Sequence, residues 1–143
     1  MHLTGTDDNA ALENAYKASG VKASIRRADS SIEKCYLASQ LVICRGGASS
    51  LCELALFGKP AVIIPLPTAA DDHQTVNAKL AESVGGAIHL PQATATAAGL
   101  KEIVASFVSD GAKFSAMGEK LKVLAHPDAA KDMAAFIAEL AEE

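Results

Sequence analysis

The stretch that decides the fold is Leu41-Val-Ile-Cys-Arg-Gly-Gly-Ala-Ser-Ser-Leu-Cys-Glu53. Its first four residues are all apolar, which is typical of a strand buried on both faces of a parallel sheet. The segment Arg45–Gly47 then predicts a tight turn, because glycine tolerates backbone conformations that other residues avoid. A helix is predicted to begin near Ser49 or Ser50. The stretch is therefore read as a strand, a glycine turn and a helix in succession.

Strands and helices alternate along the rest of the chain in the same way. A second continuous apolar run, Ala61-Val-Ile-Ile64, predicts another strand buried on both faces. The other strands are predicted at 2–4, 22–25 and 87–90, and the helices at 7–19, 30–39, 50–57, 72–84, 96–108, 112–124 and 128–143. This alternation favours an α/β fold with a Rossmann-like, doubly wound parallel sheet. We expect residues 1–143 to form a single domain.

Apolar spacing within the helices predicts which side chains reach the core. The predicted core residues of the later helices are Val76, Leu80, Val84, Phe107, Phe114, Met133, Phe136, Ile137 and Leu140. Cys44 and Cys52 are predicted to be small core residues rather than nucleophiles, because neither has an evident base nearby in sequence.

Composition excludes several classes of function. The chain has 143 residues, of which 50% are hydrophobic and 21% charged, with a formal net charge of −4. This balance is globular, and the negative charge argues against a nucleic-acid partner. The three cysteines lack metal-site spacing, so we expect neither a zinc site nor a disulfide framework. No carboxylate pair adjoins the glycine turn, so we expect no metal there, and we expect no cofactor. Sparse cysteines also fit a reducing cytoplasm.

The glycine turn is a candidate anion site. Ligands of open α/β sheets bind outside the carboxyl ends of the strands, and a helix N-terminus at that edge offers free N–H groups to a phosphate. Ser49 and Ser50 add hydroxyl donors, and the Glu53 carboxylate could hold two neighbouring hydroxyls of a sugar. Alternatively, Ser50 and Glu53 form a capping box. Spacing alone leaves both alternatives open, and the stretch matches neither the dinucleotide fingerprint nor a P-loop.

A second polar stretch follows the next buried strand and should emerge at the same sheet edge. In Pro65-Leu-Pro-Thr-Ala-Ala-Asp-Asp-His-Gln-Thr-Val-Asn77, either Asp71 or Asp72 is predicted to cap the following helix. The amide of Gln74 both donates and accepts, which suits it to sugar hydroxyls. Alternatively, this is an ordinary polar helix start, which the spacing alone favours.

Four motifs together resemble one family across nearly the whole chain. They are 45–53, Gly58-Lys-Pro60, Pro65-Leu-Pro67 and Asp71-Asp-His-Gln-Thr-Val-Asn-Ala78. In order and spacing they are similar to the carboxyl-terminal half of the MurG family of N-acetylglucosaminyltransferases. The resemblance implies one half of a two-domain GT-B glycosyltransferase, the half that binds UDP-GlcNAc. The whole enzyme of this family is an inverting transferase that converts lipid I to lipid II in peptidoglycan synthesis, and so serves cell-wall biogenesis, cell shape and cell division.

The resemblance also implies roles for single residues. Ala48, Ser49 and Ser50 would face the diphosphate, and Glu53 would bind the ribose hydroxyls. Gln74 and His73 would bind hydroxyls of the GlcNAc ring, and the turn near Asp29 would lie over the uracil. The implied donor-binding residues are Asp29, Arg45, Gly47, Ala48, Ser49, Ser50, Leu51, Cys52, Glu53, His73, Gln74 and Asn77.

Parts of the family pattern are expected upstream of His2. These are the first strand of this domain with its loop, and an amino-terminal domain that holds the acceptor site for lipid I, the catalytic base and a membrane-facing surface. We therefore expect this chain to be inactive alone, and the full-length protein to be peripheral on the cytoplasmic face of the bacterial inner membrane. Without the first strand, two strand edges would be exposed, which predicts a homo-oligomer. The alternatives are a non-catalytic nucleotide-sugar-binding module and one subunit of a split glycosyltransferase.

Overall fold

The computed structural model describes residues 1–142, which divide after Ala38 into two units. The first unit contains β1 (His2–Leu3), α1 (Ala10–Ser19), β2 (Ile25–Arg26) and α2 (Ile32–Ala38). Its two strands are parallel, with His2 opposite Ile25. α1 ends at Gly20, whose φ of 70° is the left-handed conformation that glycine adopts without strain.

The second unit carries the polar stretches singled out above. Its elements are β3 (Val42–Cys44), α3 (Ala48–Phe57), β4 (Ala61–Ile63), α4 (His73–Ser83), β5 (Ala87–His89), α5 (Ala97–Ser109), α6 (Gly111–Leu121) and α7 (Ala129–Glu142). Short 3₁₀ turns lie at Ala70–Asp72 and Lys122–Leu124. The three strands form a parallel sheet in the order β3-β4-β5. Each predicted strand and helix has a counterpart within residues 1–142, with ends that differ by a few residues. The predicted end of the last helix, at residue 143, lies outside the described residues.

Burial distinguishes the two apolar strands of the second unit. Ala61, Val62 and Ile63 of β4 are at most 1% exposed, as predicted. Ile43 of β3 is 48% exposed, so the prediction that this strand is buried on both faces was wrong. The reason is its position in the three-stranded sheet: β4 lies between two strands, whereas β3 pairs there with β4 alone.

The core face of α4 is not the one that was predicted. Val76 and Leu80 are exposed, and Ala78 and Ala81 are the buried residues of this helix. α4 packs on both β5 and α3, and the small alanine side chains allow this close approach. Gln74 lies four residues before Ala78 and therefore shares the packed face.

Two further core predictions fail, and one holds. Phe114 is 3% exposed and packs edge-on against the half-buried Phe107. By contrast, the apolar face of α7 is more than half exposed at each of its large side chains, which are Met133, Phe136, Ile137 and Leu140. An amphipathic pattern indicates only that a face could be covered, and residues 1–142 do not cover this one. Cys52 is also exposed, because the buried side of α3 is formed by Leu51, Leu54 and Ala55.

α6 crosses the turn between α3 and β4 at very short range. A Cβ atom on Gly118 would lie 2.2 Å from the carbonyl oxygen of Gly58 and 2.9 Å from Cδ of Pro60. Gly58 ends α3 with a φ of 58°, and its N–H donates to the carbonyl of Ala55. Only glycine at position 118 permits this backbone-to-backbone contact. Across residues 1–142, the helices lack the combined length and apolar character that a bilayer crossing requires.

Candidate functional site

The loops that follow β3, β4 and β5 are joined by one guanidinium group. Nη1 of Arg45 donates to the carbonyl oxygens of Ile64 at 3.2 Å and Pro65 at 3.3 Å. The same nitrogen lies 2.6 Å from Oε1 of Gln92, to which it also donates. Arg45 therefore ties together the carboxyl-end loops of three adjacent parallel strands, which is the sheet edge where α/β proteins bind ligands.

The N-terminus of α3 is open at this edge. Gly47 is the N-cap and has no side chain to satisfy the first turn. The first intrahelical hydrogen bond runs from the N–H of Leu51 to the carbonyl of Gly47, at 3.0 Å. The N–H groups of Ala48, Ser49 and Ser50 consequently have no acceptor within the helix, and the positive end of the helix dipole adds to their attraction for an anion.

This boundary excludes one of the two sequence-based alternatives for Ser50 and Glu53. The helix begins at Ala48, two residues earlier than the spacing predicted, so Ser50 is the third helical residue and not the cap. The capping-box alternative is therefore wrong. Glu53 is half-buried and lies one turn further along the helix, on the side of Ser49 and Ser50. The side chain of the neighbouring Leu51 is in the core, at 8% exposure.

Gln74 and Asn77 of α4 hold the glycine turn that precedes α3. Oε1 of Gln74 accepts hydrogen bonds from the N–H groups of Gly46 at 3.2 Å and Leu66 at 3.0 Å. Nδ2 of Asn77 donates to the carbonyl of Gly46 at 2.9 Å. The amide oxygen of Gln74 is thus occupied by two loops, and its NH₂ group remains to donate.

The turn that enters α4 is strained. Asp71 and Asp72 have φ values of 49° and 52°, in the left-handed region that side-chain-bearing residues rarely adopt. Each such residue costs about 1 kcal/mol or more, and such positions cluster at functional sites. Asp72 is the N-cap of α4 but makes no side-chain cap hydrogen bond, so the prediction that an aspartate caps this helix was wrong. Nδ1 of His73 lies 2.6 Å from the carbonyl oxygen of Ala70, to which it donates its proton.

Asp29, the predicted uracil neighbour, belongs to the first unit. Its carboxylate accepts a hydrogen bond from the N–H of Ser31 at 2.9 Å and pairs with the guanidinium of Arg26. The Ser31 N–H, together with the Arg26 charge, holds the pKa of Asp29 below its ordinary value. The carboxylate therefore stays ionised and shapes the turn at the start of α2.

The titratable groups of residues 1–142 bear on two kinds of chemistry, metal binding and thiol attack. Within residues 1–142, no three side chains of histidine, cysteine, aspartate or glutamate converge as metal ligands would. Burial raises the pKa of the Cys44 thiol to about 11. A thiol in this state is inert at neutral pH, because the thiolate is the reactive form.

We expect thiol alkylation to distinguish the cysteines of the second unit. At pH 8, iodoacetamide should modify the exposed Cys52 readily. Cys44 should react roughly a hundredfold more slowly than a thiol with the ordinary pKa of 9.0, because each pKa unit lowers the thiolate fraction about tenfold. Its rate should rise as the pH approaches 11. Peptide mass spectrometry against time measures both rates, and equal rates at pH 8 would contradict the prediction.

Comparison with known proteins places the chain in a family. The model of the glycosyltransferase family 28 C-terminal domain matches residues 1–133. The chain belongs to this family. The resemblance to the carboxyl-terminal half of a glycosyltransferase, which the four motifs indicated, is confirmed by this match and by the relatives below, as is the α/β fold with parallel strands.

Two relatives of this family 28 domain have the same protein name. The Stutzerimonas stutzeri protein is called UDP-N-acetylglucosamine–N-acetylmuramyl-(pentapeptide) pyrophosphoryl-undecaprenol N-acetylglucosamine transferase, and it is 37% identical over 141 residues, covering 99% of this chain and 40% of that protein. The protein of the same name from Chlorobium limicola is 43% identical over 107 residues, which are 75% of this chain and 29% of that protein.

A solved structure shows the same architecture. The crystal structure of Acinetobacter baumannii MurG superposes with a TM-score of 0.87 at 29% identity, over 96% of this chain and 40% of that one. The match to this family 28 domain thus covers between 29% and 40% of the length of these relatives.

Proposed function

We propose that this chain is the donor-binding half of a MurG-like inverting N-acetylglucosaminyltransferase and that it binds UDP-GlcNAc. The observation that carries the proposal is the uncapped N-terminus of α3 at the carboxyl end of β3, with a carboxylate one turn further along the same helix. A nucleoside diphosphate is complementary to this arrangement. Its anionic diphosphate is attached at the 5′ carbon of the ribose, close to the two ribose hydroxyls that a carboxylate can bind.

Each part of the donor has a proposed partner in this arrangement. The free N–H groups of Ala48, Ser49 and Ser50 bind the diphosphate, and the Glu53 carboxylate accepts hydrogen bonds from the ribose hydroxyls. The NH₂ group of Gln74 donates to an oxygen of the sugar, with His73 beside it at the start of α4. Arg45 contributes by fixing the loops around the donor.

The remaining donor-site residues have lesser or separate roles. Gly47 brings the backbone close to the phosphates, and Leu51 and Cys52 continue the first turn of α3. Asp29 near the uracil is a separate prediction.

In the complete enzyme, we propose that the muramyl hydroxyl of lipid I attacks the anomeric carbon of GlcNAc as UDP departs. The helix end at Ala48 would stabilise the charge that develops on the leaving diphosphate. The names of the relatives include an undecaprenol-linked acceptor, which is a membrane lipid. We therefore expect the full-length protein to work as a peripheral enzyme on the cytoplasmic face of the inner membrane.

Nucleotide titration tests the proposed donor site. By calorimetry, UDP and UDP-GlcNAc should bind this chain, and UMP should bind roughly tenfold more weakly or worse because it lacks the second phosphate. The loss of one charge-assisted hydrogen bond is worth about this much. Equal affinity for UMP and UDP would contradict the diphosphate assignment, and no binding of any uridine nucleotide would refute the proposed function.

The chain should be catalytically silent by itself. We expect no lipid II from UDP-GlcNAc and lipid I, because the resemblance implies that the acceptor site and the base belong to another domain. Thin-layer chromatography with radiolabelled UDP-GlcNAc measures the product, and a full-length relative provides the positive control. Turnover by the chain alone would contradict this division of roles. If a longer protein that contains this chain bound the donor but transferred no sugar, the alternative of a non-catalytic nucleotide-sugar-binding module would be favoured.

A further inference from the structure

The backbone of Gly46 forms hydrogen bonds with two side chains of α4. It is buried, its N–H donates to Oε1 of Gln74, and its carbonyl accepts from Nδ2 of Asn77. A Cβ atom at this position would lie 2.4 Å from the backbone oxygen of Gln74, so the turn rests directly on the first turn of the helix. Both peptide groups that flank Gly46 are therefore fixed in orientation by side chains of one neighbouring helix.

The orientation of the peptide group between Gly46 and Gly47 affects the N-terminus of α3. Gly47 follows it directly as the N-cap, in an extended conformation with φ −65° and ψ 147° and no side-chain cap. Since Gly47 has no side chain, the direction of the next N–H groups depends on how the preceding peptide is held. The Asn77 hydrogen bond is the contact that holds the carbonyl of that peptide.

Resting on the proposed function, we propose that Asn77 is a positioning residue for the donor diphosphate and not a residue that touches the donor. Its amide donates to the protein backbone and thereby aims the N–H groups of Ala48, Ser49 and Ser50 at the phosphates. Gln74 differs from Asn77 because Gln74 binds the backbone through its amide oxygen and its whole NH₂ group remains to meet the sugar, whereas Asn77 already donates one of its two N–H groups to Gly46.

Affinity for UDP and for uridine separates positioning from a general structural role. Asn77→Ala removes the donor, and Asn77→Asp keeps the side-chain shape but turns a carboxylate toward the carbonyl of Gly46. Both should weaken UDP binding roughly tenfold and leave uridine binding, measured by NMR titration, within about twofold of the unsubstituted chain. Lys79→Ala is the matched control, because Lys79 is an exposed residue of the same helix and should change neither affinity.

Amide resonances test the same claim without any ligand. In the free chain, Asn77→Ala should shift the amide signals of Gly46 to Ser50, whereas the signals of α6 report that the fold is intact. Unchanged UDP affinity, an equal loss for UDP and uridine, or unmoved signals in 46–50 would each overturn the proposal. If the unsubstituted chain bound neither UDP nor uridine, the proposed function would fail, and the role of Asn77 toward a diphosphate would fail with it even if the amide signals moved.

Discussion

Replacing Gly118 by alanine should lower the free energy of unfolding of the second unit by roughly 3 kcal/mol, the upper part of the usual range for overpacking. The added Cβ would meet the carbonyl oxygen of Gly58 at 2.2 Å and Cδ of Pro60 at 2.9 Å. Neither obstacle can rotate away, because one is backbone and the other a proline ring. The turn is also held by the hydrogen bond from the N–H of Gly58 to Ala55. Urea denaturation followed by circular dichroism measures the loss.

Gly111→Ala is the matched control for this substitution. Gly111 is the first residue of the same helix, and a Cβ atom there would have no atom within 4 Å. Alanine is the better helix former, so this variant should be unchanged or up to about 1 kcal/mol more stable. A similar loss in both variants would show that the cost arises from α6 itself and not from its contact with the turn at Gly58.

Glu53→Gln should weaken UDP binding by roughly 10- to 100-fold. The substitution keeps the shape of the side chain but removes the negative charge, and a hydrogen bond to a charged group contributes about 1.5–3 kcal/mol. Calorimetry should be carried out with UDP and with its 2′,3′-dideoxy analogue. The analogue lacks both ribose hydroxyls, so it should bind the two proteins with nearly equal affinity.

The analogue also guards against an indirect effect of this substitution. Glu53 has contacts within the protein, so an equal loss of affinity for UDP and the dideoxy analogue would mean that the carboxylate supports the helix and not the ribose. Glu102→Gln provides the control for charge, because it removes one carboxylate from the exposed side of α5. It should leave both affinities within about twofold of the unsubstituted chain.

The elements of this fold could be predicted because their signals are local. The run Ala61–Ile63 is apolar at every position, and Gly58 stands where the chain must reverse. What the sequence could not show was which neighbour each face would meet. By spacing, Val76 and Leu80 fit a core stripe, but both are exposed. Gln74 and Asn77 lie instead on the packed side of α4, where their amides form hydrogen bonds with Gly46.

The site shows the same limit at its helix ends. The sequence predicted a glycine turn and a helix start after β3 as a candidate anion site, and the structure has an uncapped helix there. The helix starts at Ala48 rather than Ser50 because Gly47 adopts the extended N-cap conformation. Glycine has no side chain from which this N-cap position could be predicted. Asp71 and Asp72 are the left-handed pair before α4. The sequence predicts that one of them caps this helix, because aspartate is a common N-cap residue. Donor contacts, oligomeric state and the single-domain boundary stay predictions.

The guanidinium of Arg45 has a consequence for how such domains can be recombined. Its acceptors after β4 are backbone carbonyls, which any sequence supplies, whereas its acceptor after β5 is the side chain of Gln92. A graft that replaces Gln92 but keeps Arg45 would therefore remove one acceptor from this cation. Chimaeras intended to change the sugar should exchange the segments that carry Arg45 and Gln92 together.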